Sequence, residues 1–173
     1  MRTRPGPSER LARPVWEIRR WSPADVEEIK AFRCAKSRSG SYAMHAQTVL
    51  HEAVDDLGAD ETLDCLVAVE DGSIIGVVVY TYRDDQGFGV IYSIGVAVPK
   101  QNNGIATDLK RQVLDNCSAA GATRVRSSVH RKNGKMQSVN KTLGIPATTD
   151  PEDGKYLLYS AELLAESDED APG

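Results

Sequence analysis

The sequence predicts an α/β fold, a mixed β-sheet flanked by helices. Three observations carry this. Residues 63–98 read as three consecutive strands with short turns between them. Residues 96–129 read as a strand, a turn, a helix and a return strand. Two helical stretches precede the strands. With 173 residues, 40% hydrophobic and 27% charged, the chain has the size and composition of one globular domain with a core of its own.

Residues 15–21 (VWEIRRW) read as a short first strand. Ser22 then serves as the N-cap of a helix, with Pro23 at its first position, Asp25 in its first turn, and Val26, Ile29 and Phe32 on its apolar face. A second helix is expected over 43–57. There Ala46, Val49, Leu50, Ala53, Val54 and Leu57 recur at helical spacing, and Gly58 ends it. The stretch SRSGSYAMH between these helices is polar and rich in Gly and Ser, as a loop is. LDCLVAVE and IIGVVVYTY are strands joined through Asp71-Gly72-Ser73, a hairpin signal, and RDDQG leads into FGVIYSIGVAV. A long helix follows with Ile105, Leu109, Val113 and Cys117 on one face and Gly121 at its end. RVRSSV (124–129) is a strand, Met136, Val139 and Leu143 mark a short helix closed by Gly144, and residues 156–164 form a last strand. The expected order is β-α-α-β-β-β-α-β-α-β. The strands on either side of the long helix should be parallel neighbours. Residues 1–14, rich in Arg and Pro, read as a flexible lead-in, 15–164 as a single domain, and 165–173 as an acidic disordered tail.

No apolar run approaches the roughly 18 residues that span a bilayer. The N-terminal stretch has arginines and prolines without an apolar core, unlike a secretory signal. Cys34, Cys65 and Cys117 are far apart with no CxxC, so they read as small buried hydrophobes in a reducing cytoplasm, and no metal site is expected. His45 and His51 stand six apart, off the spacing of a helical metal pair. The net charge of −4 conceals an asymmetry. Lys100, Lys110, Arg111, Arg124, Arg126, Arg131, Lys132, Lys135 and Lys141 face only Asp108 and Asp115 between residues 100 and 141, a net of about +7. Such a segment is either a solvated basic face or the partner of a polyanion, and both a phosphate-rich cofactor and a nucleic acid qualify.

The strand that ends near Val98 passes into the long helix through Gln101, Asn102, Asn103 and Gly104, residues that bury almost nothing. A helix start leaves backbone N–H groups unpaired at the positive end of its dipole, which suits an anion. Gly104 removes a side chain where an anion must approach, Asn102 and Asn103 tolerate unusual backbone angles, and Ala106 keeps the next position small. The alternative is a polar turn that merely turns. The context favours the phosphate reading: a strand before it, an amphipathic helix after it, a return strand, and Asn133 beyond that strand.

On these residues the chain resembles the GCN5-related N-acetyltransferase (GNAT) superfamily. QNNGIA (Gln101 to Ala106) matches that family's Gln/Arg-x-x-Gly-x-Gly/Ala signature. VHRKNGKMQSVNKTLGI matches its later pattern of Asn, helix and Leu-Gly-Phe, with Asn133, Gly144 and Ile145 in register. The resemblance covers about residues 15–164. It implies acetyl-coenzyme A as co-substrate, no metal, and transfer of an acetyl or longer acyl group to a primary amine by direct attack on the thioester. The acceptor would be a small molecule, peptide or protein. It implies that backbone amides of Gln101, Asn102, Asn103, Gly104, Ile105 and Ala106 hold the pyrophosphate. Pantetheine would lie between splayed fourth and fifth strands against Ile94, Val96 and Val98, with an amide near Val96 polarising the carbonyl, and Asn133 would complete the set. A homodimer is a further family tendency. Two positions depart from the family. Asn140 stands where many members have the Tyr that protonates the departing thiolate, and FGVIYSIGVAV holds no Glu to act as base.

Other candidates divide between site and scaffold. Tyr92 is the catalytic candidate, by strand alternation on the face of Ile94 and Val96, with core packing as its alternative. Ser93 should lie on the opposite face. Tyr42 and His45, in the loop between the first helices, and Tyr80 and Tyr82, which share a strand face, are candidates for the acceptor pocket. His51 reads as solvent-facing and Asp84 and Asp85 as a turn. His130 reads either as reaching toward the thioester or as part of a basic face. Lys100, Arg131, Lys132 and Lys135 flank the proposed cofactor cleft. Beside the enzyme reading stand two others: a tRNA- or ribosome-directed acetyltransferase toxin, suggested by the basic segment, and a non-catalytic acyl-coenzyme A-binding module, suggested by the missing Tyr and Glu.

Overall fold

The computed structural model describes residues 15–31, 33–35, 42–149 and 154–163. Its elements are β1 (Glu17–Arg20), α1 (Val26–Ala31), α2 (Tyr42–Asp56), β2 (Leu63–Glu70), β3 (Ser73–Thr81) and β4 (Phe88–Val96). They continue as α3 (Ile105–Ala119), β5 (Arg124–His130), α4 (Gly134–Thr142), β6 (Ala147–Thr149) and β7 (Tyr156–Glu162). One seven-stranded sheet runs β1-β2-β3-β4-β5-β7-β6. All pairings are antiparallel except β4 with β5, which α3 joins as a parallel crossover. The expected order holds, with one addition: β6, three residues beside β7, is too short to show a period in sequence. Phe32 and the residues beyond Leu163 lie outside the described residues.

The β2–β3 turn places Asp71 and Gly72 at φ +49° and +78°, both left-handed, as a tight hairpin requires. β3 is buried at every position after Ser73, as a central strand with helices on both faces must be. One core layer packs Ile105, Leu109, Val113 and Cys117 of α3 on Leu66, Ala68, Val78 and Tyr80. The other packs Ile29 of α1, Leu50 and Val54 of α2, and Leu57 just beyond it on Cys65, Val67, Val77 and Val79. Close packing of α3 needs Gly89, where a Cβ would lie 2.6 Å from Cys117 Sγ. The first turn is held by Asp25, whose carboxylate accepts from Ser22 N–H at 2.7 Å and from the Arg19 guanidinium at 2.8 and 2.9 Å. That guanidinium, above all, holds the Asp25 carboxyl down at about 2.

Two expectations fail in this frame. Lys110, counted with the basic surface, is 1% exposed in the seam between α3 and α4, because α4 covers the flank of α3 on which it stands. Cys34, read with the other cysteines as buried, is only half-buried, whereas Cys65 and Cys117 are in the core.

Candidate active site

β4 and β5 pair only from Phe88–Arg124 to Ile91–Ser127. Beyond that, β4 stays with β3 as far as Val96, while Ser128, Val129 and His130 of β5 stay with β7. The two strands therefore part, and Tyr92 to Val96 has no strand partner on its β5 side. Tyr92 sits where they part. The β3–β4 register passes from Tyr80–Ile91 to Val79–Ser93, so Tyr92 is the extra residue of a β-bulge. The bulge breaks the alternation that would put Tyr92 in line with Ile94 and Val96. Tyr92 is 51% exposed, so core packing is excluded.

A cleft of about 870 Å³ opens at this parting. Its walls come from both faces of the sheet: Ile94, Gly95 and Val96 of β4, Cys34, Ala35 and Ala46 on the α1–α2 side, and the first turn of α3 with α4 from Lys135 to Thr142 on the other. Of the cofactor candidates, Ile94, Val96, Gln101, Asn102, Gly104, Ile105, Ala106 and Asn133 line it. Gly104 is the N-cap of α3 at φ +88°, and a Cβ there would meet nothing within 4 Å. The first intrahelical bond of α3 is Asp108 N–H to Gly104 O, which leaves the N–H groups of Ile105, Ala106 and Thr107 without helical acceptors. The turn that feeds them holds Asn102 at φ +67°.

Several candidates turn out to be scaffold. The Gln101 amide donates to Cys34 O at 2.8 Å and Val96 O at 3.0 Å, tying the loop to β4 and to the end of α1. Asn103 folds onto Lys100 O and does not line the cleft. Val98 belongs to a single 3-10 turn, Val98–Lys100, and its N–H is spent on Arg33 O, so it offers no edge to a ligand. Asn133 Oδ1 caps α4 through Met136 N–H. Tyr80 and Tyr82 are corrected outright. Tyr80 is fully buried under α3, its hydroxyl accepting from Asn116, and Tyr82 donates to the buried Asp64. They stack edge-on at 5.0 Å, and burial raises both phenols. They share a face, as expected, but it is the α3 face, not the cleft.

Tyr42 opens α2 and His45 lies in its first turn, with side chains outside the described residues. His51 is half-buried, with Nε2 enclosed and without a hydrogen-bond partner among the described residues, not solvent-facing. His130 Nδ1 accepts from Lys132 N–H while its ring edges against Tyr156. Asp84 closes its turn by accepting from the N–H groups of Gln86 and Phe88.

Lys100 and Lys135 line the cleft, and among the described residues no lining residue is acidic. Lys100 pairs with Glu70 at 2.6 Å, and Lys135 reaches Gln101 Oε1 at 3.2 Å. Much of the remaining basic segment is engaged within the fold. Arg111 pairs with Asp108 and Arg124 with Glu162, and Arg126 stacks over Phe88. Sequence reasoning missed Cys34, Ala35, Thr107, Val139 and Thr142 as cleft residues. For Thr107 the signal was its place in the first turn after Gly104. Among the described residues, no group of three or more His, Cys, Asp or Glu could hold a metal, and no helix is long and apolar enough to cross a membrane.

The parallel pair β4–β5 thus parts onto a cleft lined by Lys100 and Lys135 and by the start of α3. The chain belongs to the acetyltransferase (GNAT) family, whose model matches residues 26–145. Solved structures share the fold. A protein from Desulfovibrio desulfuricans assigned to the GNAT acetyltransferases aligns with a TM-score of 0.72 at 21% identity, over 86% of this chain and 99% of that one. The PaiA N-acetyltransferase of Thermoplasma acidophilum, solved with coenzyme A, gives 0.68 at 16% over 85% and 98%. The ribosomal-protein-S18-alanine N-acetyltransferase of Escherichia coli gives 0.66 at 14% over 91% and 99%. No curated protein matches the chain.

Proposed function

We propose that this chain transfers an acetyl group from acetyl-coenzyme A to a primary amine by direct attack on the thioester. One observation carries the proposal: β4 and β5 part onto a cleft that ends at the open start of α3. The diphosphate would take the N–H groups of Gly104 to Ala106 and the charge of Lys135. Pantetheine would follow the unpaired edge of β4 from Val96 toward Tyr92. The amine would approach from the α1–α2 side, past Cys34, Ala35 and Ala46. Its nitrogen forms a bond to the carbonyl carbon, the carbon–sulfur bond breaks, and the electron pair leaves with sulfur.

Among the described residues, no carboxylate lines the cleft to take the amine's proton. Tyr92, exposed at the bulge, is the candidate to pass it to solvent. Tyr92→Phe should then lower kcat by about tenfold or more, measured as thiol release from acetyl-coenzyme A, and an unchanged kcat removes Tyr92 from the mechanism. Burial of Lys110 takes one charge out of the basic segment that suggested a nucleic-acid substrate. Calorimetry with acetyl-coenzyme A tests the donor, and a panel of amines, amino acids and peptides tests turnover. Absence of donor binding refutes the proposal.

A further inference from the structure

Trp16 stands just ahead of β1 and packs against the α3-side core layer. Its indole N–H donates to Asp108 Oδ2 at 3.0 Å, across 92 residues of chain. The other oxygen of the same carboxylate accepts from Arg111 Nη1 at 3.3 Å. One acid of α3 thus holds an aromatic ring and a guanidinium side by side. With its N–H engaged, what the indole still offers is its π-face. The guanidinium carries five N–H donors, of which this bond uses one, and its side chain is 58% exposed.

Trp16 and Arg111 line a second hollow, of about 510 Å³, over the first two turns of α3. Gly104, Thr107 and Thr142 line both this hollow and the main cleft, so the two spaces adjoin at the open start of α3. With the diphosphate at that start, the pantetheine arm occupies the cleft, and the nucleotide end of the donor leaves in another direction. The adjoining hollow is a concave space within its reach. An aromatic face and a guanidinium held by one carboxylate match the two groups that end carries, a purine and a phosphate.

We propose that Trp16 is the platform on which the adenine of the acyl donor stacks, that Arg111 meets its 3′-phosphate, and that Asp108 positions both. This rests on the acyl-coenzyme A reading of the cleft and extends it to the choice of donor. A carrier protein presents its acyl group on phosphopantetheine, which ends at a single phosphate and has no purine. Such a donor leaves Trp16 and Arg111 unused. The hollow therefore selects the free coenzyme A thioester over the carrier-bound one. The other route open to the nucleotide, past Lys135 on α4, would leave Trp16 bare, and the experiment separates the two.

The test uses tryptophan fluorescence and calorimetry on the full chain. The chain has two tryptophans, and Trp21 packs in the α1–α2 layer on the other face of the sheet. Coenzyme A should quench the fluorescence, 4′-phosphopantetheine should not, and the quench should vanish in Trp16→Phe. Trp16→Ala should weaken coenzyme A by about fivefold or more and leave 4′-phosphopantetheine within about twofold, a contrast that a merely structural loss would not produce. Wild type should prefer coenzyme A to 3′-dephospho-coenzyme A by about fivefold or more, and Arg111→Gln should abolish that preference. Coenzyme A that binds by calorimetry without changing wild-type fluorescence overturns the proposal, and needs no variant to fold. So does a quench that survives Trp16→Phe, or a phosphate preference that survives Arg111→Gln. All three leave the reading of the cleft standing, whereas coenzyme A that does not bind at all overturns both.

Discussion

Replacing Gly104 by Asp puts the phosphate seat to a quantitative test. The backbone there is left-handed at φ +88°, which a residue with a Cβ occupies at a cost of about 1 kcal/mol. The added side chain would meet no protein atom within 4 Å, so no packing loss adds to that strain. The fold should thus lose about 1 kcal/mol. Binding is a different matter. A carboxylate about 5 Å from one phosphate charge, at an effective dielectric of about 20, is repelled by about 3 kcal/mol. That is roughly a hundredfold in Kd. Calorimetric titration with acetyl-coenzyme A should show this loss for Gly104→Asp and only a few-fold change for Gly104→Ala, which shares the strain without the charge. If Gly104→Asp binds within about threefold of wild type while folding normally, the diphosphate does not sit at the start of α3 and the reasoning is wrong.

Other expectations concern the scaffold. Gly89→Ala drives a Cβ to 2.6 Å from Cys117 Sγ and should cost about 1–3 kcal/mol in urea unfolding; an unchanged midpoint would show that α3 is not held so closely. Asp25 is depressed to about 2 against about 3.9 unfolded, so its contribution is complete above about pH 4 and is lost as pH falls toward 2. With Arg19 partly exposed this is about 1–2 kcal/mol, and Asp25→Asn should flatten that part of the stability curve. Lys110 is depressed to about 8 against about 10.4 unfolded, so the unfolded chain binds more protons between those values and stability from this group rises with pH across that window. Lys110→Met should remove the rise; a Lys110→Met curve parallel to wild type from pH 8 to 10 would place the amine in water.

Much of the fold was legible because its period is local. Ile105, Leu109, Val113 and Cys117 mark α3 by helical spacing, and Asp71-Gly72 marks the β2–β3 turn by backbone chemistry. The turn from Gln101 to Ala106 into α3 was legible because a helix start and a glycine act within a few residues. What escaped depends on distant parts of the chain. Tyr92 left its expected face because β3 and β4 slip register by one residue, and nothing in FGVIYSIGVAV announces a bulge. Tyr80 and Tyr82 were placed on a common face correctly, but which helices cover that face is decided by strand order. Lys110 sits beside the apolar stripe of α3, where sequence reads solvent, and α4 buries it. The Gln101 and Asn133 side chains are polar for the sake of the scaffold, and the same residue types would serve a ligand, so pattern alone does not divide the two roles.

The central claim is that the gap between β4 and β5 receives the acyl donor. Amide hydrogen exchange with and without coenzyme A tests it most directly. The account predicts that coenzyme A slows exchange in Tyr92 to Val96 and in Gly104 to Thr107, and leaves Tyr80 and Tyr82 unchanged. Protection confined to other elements, with Tyr92 to Val96 exchanging as in the free protein, would contradict it.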